Sequence, residues 1–139
     1  MDRRLARKEA LSLLFDHTFN EEKTAAALFE SAADARDFEP DNFVRAVVDG
    51  VLSHQEELDA VIEGHLKSWK KNRLSRVSLS ILRLAIYEIL FMDEIPASVS
   101  INEAVELAKI FGNEKDAPFV NGLLGSVVRA TDEKPEADE

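Results

Sequence analysis

Apolar residues recur every three or four positions along nearly the whole chain, and nowhere do apolar and polar residues alternate long enough to suggest a strand. This pattern predicts an all-α fold of about seven helices. In residues 3–19, Ala6, Ala10, Leu13, Leu14 and His17 form one helical stripe. An Ala-rich second segment, about Thr24 to Arg36, is anchored by Leu28 and Phe29. Pro40 breaks the chain, and Asp41 or Asn42 can cap a long third helix reaching about Leu66. Its buried face is expected at Phe43, Val47, Val51, Leu58 and Ile62.

The segment from about Val77 to Phe91 is apolar on more than one face and reads as the central helix of the second half. Asp93 to Val99 reads as a loop. Ser100-Ile101-Asn102-Glu103 has the form of a capping box opening the next helix, with Ala104, Leu107, Ala108 and Phe111 as its buried stripe and Gly112 as a left-handed stop. Pro118 suits the first turn of a last helix running to about Ala130. This divides the chain into an N-terminal helical half (1–66), a C-terminal half (67–131) and an acidic tail (132–139) with nothing to bury.

A chain of 139 residues is long enough to carry its own core. It has no cysteine, which excludes disulfides, thiol catalysis and cysteine-bound metals and fits a reducing cytoplasm. The longest uncharged run, Ala117–Val128, has twelve residues, where a spanning helix needs about 20. The basic start lacks the unbroken apolar stretch of a signal peptide. No phosphate-cradling Gly loop or nucleophile elbow is present. His54 and Glu57 lie one helical turn apart, but two ligands rarely hold a metal alone, so no metal, cofactor or enzymatic activity is expected.

The formal charge of −10 argues against nucleic acid only as an average. Residues 1–8 carry a net +3 through Arg3, Arg4, Arg7 and Lys8, and residues 67–76 a net +5, leaving −18 on the rest. Four bases in the first turns of a helix oppose its dipole, so their placement points to a role in binding. Guanidinium groups take phosphate in two-pronged geometry and stack on bases. Trp69, within the second island, could stack on a base or seal the core.

Three blocks then carry a specific resemblance. Leu82-Arg83-Leu84-Ala85-Ile86-Tyr87-Glu88, Ile101-Asn102-Glu103-Ala104-Val105-Glu106-Leu107-Ala108-Lys109 and Phe119-Val120-Asn121-Gly122-Leu123-Leu124 follow an arginine-rich opening, Arg3-Arg4-Leu5-Ala6-Arg7-Lys8-Glu9-Ala10, with Leu14-Phe15. In order and spacing they resemble the NusB family over roughly residues 3–130. The resemblance implies two small helical bundles packed together. It also implies a non-enzymatic, RNA-binding role in transcription antitermination. Members bind the single-stranded boxA element of nascent ribosomal RNA leaders as a heterodimer with NusE, a small-subunit ribosomal protein, in an RNA polymerase antitermination complex. A homodimer is a further possibility within the family.

Carried onto this sequence, the family's RNA contact falls on Arg3, Arg4 and Arg7, with Lys8 as a weaker addition. Phe15 stands where relatives often have Tyr, so a hydroxyl contact is lost. Phe119 opens the last helix near the RNA surface, and Lys115 stands where relatives often have an acid or small polar residue, which would strengthen RNA attraction. Glu88, with Tyr87 beside it, matches a NusE-facing position. Each has a plainer alternative: Asn102, Glu103 and Asn121 as caps and helix-to-helix hydrogen bonds, Tyr87 and Phe119 as core aromatics. The rival functional reading is a protein-interaction module of the same fold without RNA binding.

Overall fold

The computed structural model describes residues 2–36, 41–66 and 74–132. Among these residues the chain forms seven helices and no strand: α1 (Arg3–His17), α2 (Ala25–Arg36), α3 (Asn42–Ser53), α4 (Gln55–Gly64), α5 (Arg76–Phe91), α6 (Ala97–Phe111) and α7 (Asp116–Asp132). The all-α expectation holds. Pro40, Trp69 and the rest of 67–73, the boundary between the two expected halves, and tail residues 133–139 lie outside the described residues.

Side-chain caps set several starts. Asp2 accepts from the Leu5 N–H at 2.8 Å, Thr24 from Ala27 at 3.1 Å, Asp41 from Val44 at 3.0 Å and Ser75 from Ser78 at 3.0 Å. Each satisfies a first-turn donor that has no partner within its helix. α5 lies at the centre, packing against α1, α3, α4, α6 and α7. Its Ile81, Leu82, Leu84, Ala85 and Ile86 are all buried, as expected of a helix covered on more than one face.

Three boundary expectations are corrected. The long third helix is two, broken at His54, whose ring Nδ1 lies 3.1 Å from the Gly50 carbonyl oxygen and whose backbone (φ −113°, ψ 18°) leaves the helical region. Ser100 does not open α6. The helix starts after Pro96, leaving Ser100 a turn inside it with its hydroxyl donating to Glu88 at 2.8 Å. Gly112 ends α6 in extended rather than left-handed backbone (φ −99°, ψ −170°), and Asp116 Oδ2 accepts from the Asn113 N–H at 2.9 Å as α7 begins.

Two glycine and charge features bind the helices together. A Cβ at Gly50 would run into the Tyr87 ring, so the glycine lets α5 close on α3. Arg83 of α5 grips Asp59 of α4 with two bonds of 2.8 Å, both side chains buried. Buried pairs of this kind hold only while both members remain, because a single one leaves an uncompensated charge.

Candidate functional site

The arginines of α1 are brought together but held in three different ways. Arg3 is exposed, its guanidinium 4.1 Å from the centre of the Phe43 ring. Arg4 is exposed and donates through Nε and Nη2 to the two carboxylate oxygens of Glu103, at 3.1 and 2.8 Å. Arg7 points inward. Its Nε and Nη2 donate to Glu88 at 2.9 and 2.8 Å, Ser100 completes the carboxylate's shell, and its Nη1 stands 3.9 Å from Glu103.

Two residues of the family-derived assignment, Arg7 and Glu88, are buried against each other. Arg7 is 4 % exposed and Glu88 1 %. Glu88 takes the Nε and Nη2 of Arg7, leaving Nη1 beside Glu103 at the cavity edge, and Glu88 itself is covered by Arg7 and Ser100. The signal was in the sequence. Arg7 shares the stripe of Ala10, Leu11 and Leu14, and Glu88 that of Ile81, Leu84 and Ala85. Tyr87, the neighbour of Glu88, points elsewhere: half-buried, it stacks on Phe91 (centroids 5.1 Å, planes 20°) near His54 and covers Gly50.

The carboxylates explain how a basic first turn is tolerated. Glu88 and Glu103 supply from α5 and α6 the negative charge that α1 lacks in its own first turn. The bond from Arg4, its Coulomb attraction and that of Arg7 hold the Glu103 carboxyl below its ordinary value against partial burial; Glu103 in turn raises Arg4. Arg3, Arg4, Arg7, Glu94 and Glu103 border an open surface cavity of about 400 Å³. Phe43, Glu103 and Ser100 are thus parts of the site that the sequence reading did not assign to it.

Farther along α1, Lys8 and Phe15, both partly buried, line an apolar groove of about 210 Å³ with Leu11, Val77 and Phe111. Phe111 was expected in the buried stripe of α6; it is 49 % exposed, beside Ile110 at 53 %. Past the end of α1, Phe19 meets the edge of Phe15 at 5.3 Å and carries the Arg76 guanidinium 4.3 Å above its ring. Lys115 is exposed on the α6–α7 loop, which leaves the groove at Phe111. Phe119 is partly buried on α7 and borders a second cavity, about 460 Å³, with His65, Gly122, Ser126 and Arg129. Phe119 and the Arg3–Arg4 pair border different cavities.

Among the described residues no cluster of three His, Cys, Asp or Glu is placed to hold a metal, and no helix is long and apolar enough to cross a membrane. His54, the metal candidate, instead lies against Phe91 with ring centroids 4.4 Å apart.

Comparison with known proteins follows the same lines. The sequence model of the NusB family matches residues 4–129. The transcription antitermination protein NusB of Listeria monocytogenes serotype 4b is 41 % identical over 127 residues, 91 % of this chain and 96 % of that protein. The NusB of Bacillus velezensis is 46 % identical over 127 residues, 91 % and 95 % of the two chains. Among solved structures, the antitermination factors NusB and NusE in complex with double-stranded RNA include a chain that superposes with a TM-score of 0.81, at 28 % identity, covering 92 % of this chain and 96 % of that one.

Proposed function

The chain belongs to the NusB family, and from that premise we propose that it is a transcription antitermination factor that binds RNA together with NusE. The RNA element is of the boxA type found in ribosomal RNA leaders. The role is binding rather than catalysis, exercised on nascent transcripts in the cytoplasm.

The observation that carries this reading is the pair of exposed guanidinium groups, Arg3 and Arg4, at the start of α1. Arg3 is oriented by the Phe43 face and Arg4 by Glu103. Held against the Phe43 ring, Arg3 loses less side-chain freedom on meeting a phosphate than a free arginine would. Lys8 on α1 and exposed Lys115 on the α6–α7 loop are further cations for the phosphate backbone. Arg7 supports this surface from beneath rather than touching RNA.

NusE takes the groove. Phe15, Val77, Leu11 and half-exposed Phe111 form an apolar floor suited to a partner's apolar side chain. This moves the partner surface away from Tyr87 and Glu88.

Mobility shift with a boxA-type oligoribonucleotide, with and without NusE, tests the proposal. Tighter RNA binding in the presence of NusE, weakened by Arg3→Ala, supports it. NusE binding with no gain in RNA affinity would favour the rival interaction module.

A further inference from the structure

Arg4 is not empty-handed in the free protein. Its fork is filled by both oxygens of Glu103, at 3.1 and 2.8 Å, the geometry in which a guanidinium takes two oxygens of a phosphate. The two residues are unequally placed. The Arg4 side chain is 63 % exposed and can turn outward, whereas that of Glu103 is 16 % exposed and stays against the protein. Below Glu103 lies a second cation, the Nη1 of buried Arg7, at 3.9 Å.

We propose that Glu103 is an internal competitor for RNA phosphate: its carboxylate holds the Arg4 fork in the free protein and yields it when a phosphate arrives. The proposal rests on the RNA-binding reading above and assigns to Glu103 a part in setting affinity that a helix cap would not have. The exchange is feasible because Glu103 is not stranded when Arg4 leaves. Arg7 remains beside it, so no unpaired charge is left in a partly buried position. The depressed carboxyl of Glu103 fits an anion already held by two cations.

The consequence is selectivity. An RNA phosphate must displace an anion already in place, so one isolated phosphate gains little at Arg4. A strand that engages Arg3, Arg4 and the partner protein together gains from all of them. Glu103 therefore lowers binding to RNA in general more visibly than it lowers binding to the cognate element.

The test uses the full chain with NusE and two probes, a boxA-type oligoribonucleotide and an unrelated single strand of equal length. Glu103→Gln is expected to tighten binding about two- to fivefold, the worth of a partly exposed ion pair. The slope of log K against log salt should stay close to the parent's, because Arg4 meets the same phosphate in both proteins. Glu103→Asp, which keeps the charge but retracts it by one methylene, should show a smaller gain. Glu106→Gln is the control: it removes the same charge one turn along, from a carboxylate paired with Lys109 at 3.3 Å. In an Arg4→Ala background the gain from Glu103→Gln should vanish. Binding by Glu103→Gln no tighter than the parent, an equal gain from Glu106→Gln, or a gain that survives Arg4→Ala would each overturn the proposal. Loss of RNA binding on Arg4→Ala together with no gain on Glu103→Gln would overturn it while leaving the RNA-binding reading intact. No loss on Arg3→Ala and Arg4→Ala together would remove that reading itself.

Discussion

Arg7 and Glu88, 81 positions apart in the chain, meet in a two-pronged ion pair of 2.8 and 2.9 Å with both side chains almost wholly out of water. The pair ties α1 to α5, and the Ser100 hydroxyl on the same carboxylate adds α6. It fixes the helix that carries Arg3 and Arg4. Its first consequence is for stability rather than binding.

Arg7→Ala is expected to destabilise the protein by about 3–5 kcal/mol, because Glu88 is left buried and unpaired. Replacing both residues, as Arg7→Met with Glu88→Leu, should recover much of the loss. Urea unfolding followed by circular dichroism checks both. An Arg7→Ala variant as stable as the parent would show that the pair does not bear on the fold.

Gly50→Ala is expected to cost about 1–3 kcal/mol through overpacking against the Tyr87 ring. Tyr87→Leu in the same chain should relieve part of the clash, so the two changes should be non-additive. The same unfolding measurement decides, and simple additivity would contradict the proposed contact.

Glu103 sets a pH dependence. Its folded-state carboxyl lies below the unfolded value, so its contribution is fully present above about pH 4.3 and is lost as the pH falls through the lower, folded value. Unfolding free energy measured from pH 7 down to pH 3 should therefore fall less steeply for Glu103→Gln than for the parent at the acid end. The difference is at most about 1 kcal/mol for so partly exposed a pair. Parallel curves would contradict it.

Phe111→Ser is expected to weaken NusE binding by at least about tenfold, through loss of a central apolar anchor in the groove. RNA affinity in the absence of NusE should be unchanged. Calorimetry with NusE alone separates the two. Unaltered NusE affinity would place the partner elsewhere.

The helices themselves were legible from the chain, because their cores follow the three-to-four spacing that burial imposes. What was not legible came from contacts between distant segments. At the break, the His54 ring lies on the Gly50 carbonyl, and Tyr87 from α5 packs against that same glycine. The apparent capping box at Ser100 and Glu103 dissolved because both side chains reach to other helices, Ser100 to Glu88 and Glu103 to Arg4. Arg7 was grouped with Arg3 and Arg4 by chemistry, while its spacing to Ala10, Leu11 and Leu14 already put it on the buried stripe. Periodicity was the better guide there, since a charge can be buried when a partner of opposite sign arrives from elsewhere in the fold.

The central claim is that the exposed guanidinium groups at the start of α1 hold RNA phosphate. Its most direct test is the salt dependence of RNA affinity, with NusE present, for the parent and for Arg3→Ala with Arg4→Ala. The parent slope of log K against log salt is expected near −3, from about four contacts on single-stranded RNA. The double variant should bind more weakly, with a slope shallower by about 1.4, two contacts at about 0.7 each, and a melting transition lowered by no more than a few degrees through loss of the exposed Arg4–Glu103 pair. Equal affinities and parallel slopes would contradict it.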